Sequence, residues 1–251
     1  MPRRGDNSRV DAPLRLLPAS HYSSVMLNLL FVEASLELVP RSIVRHPSVT
    51  RNAKREGKSP DSMLLDRSLH HHAMLALPEA EKRGRPDILH FCLLEALGSP
   101  LNRAGGLRSL AHTLNGDFLD FSPELRLPRD CYRFRSLVEQ LFALGRVPPG
   151  VEPPLITMSR RSLGDVKGEL KPSRTIALTS HGKPVKLVEL CKGLAAEANP
   201  LVFVGAYPNG AMRKETLSEA DEAVSIHGEA LEAWTVTSRL VYEYEKASGL
   251  E

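Results

Sequence analysis

At 251 residues the chain is long enough for one large domain, or for a domain carrying an insertion, and with 42% hydrophobic and 25% charged residues it can build a packed core, which excludes a disordered polypeptide. No apolar run reaches the roughly 18 residues of a membrane-spanning helix; Val25–Val39 comes nearest, and Glu33 and Glu37 interrupt it. The net charge of +3 names no partner by itself, but residues 103–135 are Arg-rich while acidic residues gather at Ser218–Glu222, so one basic face is expected.

In chain order, residues 1–22 read as a flexible basic arm carrying Arg3, Arg4, Arg9 and Arg15, without the apolar core of a signal peptide. Residues 23–251 are expected to form a single domain. A first strand is predicted over 25–32, a polar surface connection over 40–59, and a helix over 61–77 with Pro60 at its start. The apolar run 87–94 reads as a buried strand with Arg85 and Asp87 at its entry. Residues 98–106 read as a loop. Strands 107–113 and 117–121 flank Asn115-Gly116, a hairpin signal. A helix over 130–144 stops before Val147-Pro148-Pro149-Gly150. Beyond that break come strand 155–158, a helical piece over 162–168, strand 175–179, helix 185–198 and strand 201–206. A Gly/Pro loop at 205–210, an apolar segment at 223–226 and a last helix over 230–247 complete the chain. Strands alternating with helices predict an α/β fold with a largely parallel sheet, into which a hairpin and an Arg-rich helix are inserted.

Four features bear on chemistry. The glycine-containing stretches 178–182 and 204–210 each follow an apolar strand, where open α/β sheets bind ligands; from spacing alone, ordinary turns fit them at least as well. Neither a GxGxxG fingerprint nor a P-loop is present. Arg126, Arg129, Arg133 and Arg135 fall within ten residues, interleaved with Tyr132 and Phe134, and the first three share a helical face if the helix begins early enough. Such a run is either a solvated face or, because arginine forks match phosphates, a surface for a polyanion such as RNA. Arg85 and Asp87 form either a surface ion pair or a guanidinium fixed for a ligand. His70, His71 and His72 are adjacent on a helix and point in different directions, so a metal site is not expected. Cys92, Cys131 and Cys191 are odd in number and far apart, which fits a reducing, cytoplasmic setting rather than a disulfide framework or zinc ribbon. No GxSxG nucleophile context occurs.

Eight ordered segments together resemble one family: LELVP (36–40), LDRSLHHHAM (65–74), GRPDILHF (84–91), SPLNR (99–103), LRLPRDCYRF (125–134), EQLF (139–142), GAYPNG (205–210) and SIHGEALEAWTVTSR (225–239). This is similar to the ribosome-biogenesis pseudouridine N1-methyltransferase family of the SPOUT class, in its archaeal form, over residues 25–245. The resemblance implies a trefoil-knotted α/β sheet, an exception to the unknotted rule. It also implies a homodimer and S-adenosyl-L-methionine held in the knot largely by loop backbone. Residues expected at the cofactor are Leu178, Gly205, Gly210, Ile226, His227, Gly228, Glu229, Ala230 and Leu231. Those expected at the small-subunit rRNA are Arg85, Arg126, Arg129 and Arg133. Arg85 and Asp87 would be catalytic, Asp87 holding Arg85 in place. The substrate would be a pseudouridine in a small-subunit rRNA hairpin loop, methylated at ring nitrogen 1, and ribosome assembly proteins are further expected partners. The family usually has proline where this chain has Ala230. That change keeps alive a second reading, an rRNA-binding assembly factor without turnover; a third is a tRNA methyltransferase.

Overall fold

The computed structural model describes residues 26–250. The basic arm expected over 1–22 lies outside the described residues. At the centre is β1 (Leu27–Ala34), every residue of it buried. On one side it pairs in parallel with β2 (Leu107–Thr113), which forms the expected hairpin with β3 (Asp117–Phe121). Two further strands, β4 (Arg146–Val147) and β5 (Ile156–Arg160), extend that flank in antiparallel fashion. On its other side β1 pairs in parallel with β7 (Pro200–Gly205). Next come β6 (Arg174–Pro184) and β8 (Glu222–Ser225), also parallel. The order is β4-β5-β3-β2-β1-β7-β6-β8, so the sheet is mixed rather than largely parallel: five parallel strands carry a three-stranded antiparallel flank.

Both faces of the sheet are covered, which is why its central strands read as unbroken apolar runs. Side chains alternate across the pleat. Leu27, Leu29 and Phe31 join the larger core, whereas Leu30 and Val32 face a smaller one with α6 (Leu163–Leu170). The larger core is roofed by α3 (Pro86–Gly98), α5 (Cys131–Leu144), α7 (Leu187–Ala195) and α9 (Ala233–Ala247). A third cluster, around Val49, Met63, Leu65 and Met74, joins α1 (Pro47–Glu56) to α2 (Arg67–Met74).

Several expectations change. The run 87–94 is helix, not strand. Ile88, Leu89, Cys92, Leu93 and Ala96 are buried at helical spacing, and Pro86 suits the first turn. Because α3 is wedged between the sheet and two other helices, it is apolar on most sides, and such a run shows no period that tells helix from strand. Within the stretch expected to be a connection, 40–59, lies α1, capped by His46 Nδ1, which accepts from the Ser48 N–H at 3.2 Å. It buries only Val49, Asn52 and Ala53, too few to write an apolar stripe. The helix expected over 61–77 begins later, as α2. Met63 and Leu65 lie extended beside residues 37–39, bonded through Val39 N to Met63 O and Leu65 N to Glu37 O, and Asp66 then caps α2. Inside the loop 98–106 sits the short α4 (Pro100–Arg103), capped by Ser99.

Candidate functional site

A bulge within β6 and the carboxyl ends of β7 and β8 with their following loops close around a cavity of about 240 Å³. Its walls are Leu178–His181 within β6, Val204 and Gly205 at the end of β7 with Tyr207–Ala211 beyond it, and Ser225 at the end of β8 with Ile226, His227 and Glu229–Glu232 beyond it; Ile88 of α3 and Ala233 and Val236 of α9 complete it. Of the residues expected at a cofactor, Leu178, Gly205, Gly210, Ile226, His227, Glu229, Ala230 and Leu231 all line this one cavity, and Gly228 sits in the same loop but not on the wall.

Local sequence explains the shape. Both Leu178 and Lys183 pair with Val224, so residues 179–182 bulge out between two registered points of β6. The return is possible only through Gly182: a Cβ there would lie 2.5 Å from the Val224 backbone. The loop after β8 is shaped by its own bonds, with Ser225 Oγ donating to His227 O at 2.7 Å and Glu229 N donating to His227 Nδ1 at 3.2 Å.

A second cavity, of about 270 Å³, lies where the amino-terminal ends of α2, α3 and α5 meet, and is lined by Asp66, Ser68, Arg85, Pro86, Asp87, Cys131, Phe134 and Arg135. The positive dipole ends of three helices and the Arg85 and Arg135 guanidiniums meet at this mouth, together with the Asp66 and Asp87 carboxylates that pair with them. Arg85 stands at the position just before α3 and grips Asp87 at two points, Nε to Oδ1 at 2.8 Å and Nη2 to Oδ2 at 2.7 Å. That hydrogen bond is the main reason the Arg85 guanidinium holds its proton more tightly than usual, despite partial burial. Asp66, Ser68 and Cys131 were not expected here; the Asp66-x-Ser68 and Asp130-x-x-Arg133 caps, which start two of the helices, are the sequence signal that could have found the mouth.

The two cavities are linked through α3 and Ser35. Ile88 lines the first and follows Asp87, which lines the second. Ser35 ties them together: its N–H donates to Ala206 O at 2.9 Å and its Oγ accepts from Arg85 N at 2.9 Å. Glu232, on the wall of the first cavity, contributes to the raised pKa of Arg85.

The remaining arginines divide. Helix α5 begins at Cys131 under the Asp130 cap, so Arg126 and Arg129 precede the helix and the expected shared helical face does not form. Arg126, Arg129 and Arg133 are exposed and have no ion pair among the described residues. Arg135 instead turns inward to Glu56 and Asp66, each at 3.5 Å. Arg126 borders neither cavity but a separate cleft with Asn102 and Arg103. His90 anchors the segment between: its ring stacks on Phe134 at 4.2 Å and its Nε2 meets Pro128 O at 2.7 Å. Burial lowers the pKa of His90, disfavouring its charged form.

In the histidine triplet, His70 is buried, with Nδ1 accepting from Asp66 N at 3.1 Å and Nε2 near the Asn52 amide, while His71 and His72 are exposed. Burial pushes the Cys92 and Cys191 thiols up to about 12, leaving them inert. Among the described residues no helix is long and apolar enough to cross a membrane.

An α/β protein with a ligand cavity at the carboxyl ends of parallel strands, and a second, arginine-bearing cavity at the start of α3, is thus the class defined by fold and site. A model of the EMG1/NEP1 methyltransferase family matches residues 29–245, and the chain belongs to that family. Among its relatives, the ribosomal RNA small subunit methyltransferase Nep1 of Methanothrix thermoacetophila is 43% identical over 221 residues, covering 88% of this chain and 96% of the relative. The Nep1 of Thermococcus onnurineus is 41% identical over 220 residues, covering 88% and 98%. The crystal structure of Archaeoglobus fulgidus Nep1 bound to S-adenosylhomocysteine superposes with a TM-score of 0.80 at 38% identity, covering 90% of this chain and all of that one.

Proposed function

We propose that this chain is an S-adenosyl-L-methionine-dependent methyltransferase that methylates ring nitrogen 1 of a pseudouridine in a small-subunit rRNA loop, acting in ribosome biogenesis in the cytoplasm. The observation that carries this reading is the junction of the two cavities through Ser35 and Ile88. It would set a donor held by the three strand-end loops beside a nucleotide held at Arg85.

The first cavity fits the cofactor by its chemistry. It combines apolar walls from Leu178, Ile226 and Leu231 with backbone exposed at Gly205 and Gly210, as an adenosyl group with a charged tail requires. Ala230 keeps a backbone N–H that proline would lack, so the departure from the family pattern adds a donor to this wall. When bound, the cofactor supplies a methyl on a sulfonium centre; the protein supplies position and electrostatics. Holding the ring nitrogen in line with that methyl accounts for about 7–11 kcal/mol of barrier lowering.

Ring nitrogen 1 loses its proton as it attacks, and charge spreads to the neighbouring carbonyl oxygens. The Arg85 guanidinium, at the start of α3, stabilises that charge. Asp87 fixes the fork with both carboxylate oxygens committed to the guanidinium, so the proton leaves to water. A loop base can be splayed into the second cavity cheaply, with the exposed Arg126, Arg129 and Arg133 on the phosphates outside.

Three further features belong to this proposal. Strand β7 fills a slot between β1 and β6, and Gly182 lets the chain pass the β8 backbone, which supports the trefoil knot. Phe91 is 38% exposed on α3 and meets Trp234 of α9 edge-on at 5.4 Å, an apolar surface suited to a second copy in a homodimer. Ribosome assembly proteins would meet the enzyme on the rRNA.

The test is incubation with isotopically labelled S-adenosyl-L-methionine and a hairpin containing pseudouridine or uridine, followed by mass spectrometry of the nucleosides. Labelled N1-methylpseudouridine, and no product from uridine, is expected. Absence of product together with absence of cofactor binding by calorimetry favours an assembly factor; methylation of tRNA instead favours the third reading.

A further inference from the structure

Beneath the loop after β7 lies a buried ion pair that the proposed chemistry does not use. Lys82 is 4% exposed and Glu33 3%, and Lys82 Nζ lies 2.5 Å from Glu33 Oε2. Burying two charges is expensive unless their geometry is well satisfied, and here both partners are further engaged. The other Glu33 oxygen accepts the Arg213 N–H at 2.7 Å. The Lys82 ammonium stands over the Tyr207 ring, 4.5 Å from its centroid. Glu33 follows Val32, the β1 residue paired with Gly205, and takes up φ of +52°, a left-handed conformation uncommon for a side chain of its size. Such strain persists where the surroundings over-determine it, commonly at functional sites.

Tyr207 connects the pair to the cavity. Its ring folds back so closely that a Cβ on Gly205 would lie 2.7 Å from it. At the far end of the loop, a Cβ on Gly210 would meet the Lys82 stem at 3.4 Å. Lys82 therefore supports both ends of the 205–210 loop, through the Tyr207 ring at one end and Gly210 at the other. We infer that Lys82, held by Glu33, is a positioning residue that sets the cofactor-binding shape of residues 205–210 through the face of Tyr207. It touches no reacting atom. This rests on the reading of the first cavity as the S-adenosyl-L-methionine site.

The test uses the full chain with S-adenosylhomocysteine in calorimetry and S-adenosyl-L-methionine in steady-state kinetics. Lys82→Met keeps the stem and removes the charge. The expected result is a dissociation constant raised about tenfold, the loss of one desolvated cation–π contact. KM for the cofactor should rise in parallel, while kcat at saturation falls less than about threefold. Tyr207→Leu should weaken binding similarly, and the double variant should be little weaker than either single one, because both remove the same contact. If Lys82→Met does not fold, Tyr207→Leu, which leaves the ion pair in place, carries the test through its own affinity. Wild-type affinity in the folded variants, or losses that multiply in the double variant, would overturn the inference. A wild-type chain that binds no S-adenosylhomocysteine would instead refute the reading of the cavity itself.

Discussion

Replacing Arg85 with alanine removes the guanidinium from the mouth of the second cavity while sparing the fold. The hydrogen bond from its backbone to Ser35 does not involve the side chain, which is 37% exposed, so stability should change by no more than about 1 kcal/mol, the most its ion pair with Asp87 contributes. Loss of one preorganised donor facing developing charge lowers the chemical rate by about 100- to 1,000-fold. Asp87→Asn is milder. Asn keeps an oxygen to accept from Arg85, and an ion pair whose partners are 37% and 28% exposed contributes about 0–1 kcal/mol, at most a fivefold change. Arg85→Lys should fall between them, retaining charge but not the two-point fork. Single-turnover methylation of a pseudouridine hairpin at saturating cofactor measures all three. The reverse ranking, with Asp87→Asn the more damaging, would refute the assignment and make Asp87 the base.

Three further outcomes are expected. Burial lowers the pKa values of His70, His90 and His112 below the ordinary 6.5, so as pH falls the unfolded chain takes up protons first. Stability from these groups is then fully present above pH 6.5 and is lost below it, by at most about 1.4 kcal/mol per pH unit for each group; urea midpoints equal at pH 7.5 and 5.5 would contradict this. Replacing Arg126, Arg129 and Arg133 with glutamine should reduce the salt dependence of hairpin binding by about two units, from three lost contacts on single-stranded RNA. An unchanged slope would place the RNA elsewhere. Gly182→Ala puts a methyl group against the Val224 backbone and should destabilise by about 3 kcal/mol in urea titration; wild-type stability would mean the two segments do not cross as described.

What could be read before the structure depended on how locally each feature is determined. The Asn115-Gly116 turn fixed the hairpin, and the buried run of β1 and the capped 131–144 helix were equally plain. Helix α3 was misread because burial on most sides erases the polar positions that mark a helical period. The Arg126–Arg133 face failed for a different reason: the Asp130 cap starts α5 after Arg129, a one-turn difference that separates side chains adjacent in sequence. The residues expected at the cofactor came from the family resemblance alone, since spacing left them as turns; the structure gathers eight of the nine on one cavity wall. Neither Lys82 nor Glu33 carried a signal, because their pairing spans 49 residues and depends on packing between elements.

The central claim is that the strand-end loops hold a methyl donor directly beside the Arg85 mouth. A crystal structure of the chain with S-adenosylhomocysteine and a pseudouridine hairpin tests it most directly. The account expects the cofactor sulfur between residues 205–210 and 226–231, with ring nitrogen 1 of the flipped base facing it and the base bonded to Arg85. A cofactor outside those loops, or a base seated in a cavity that Arg85 does not border, would contradict it.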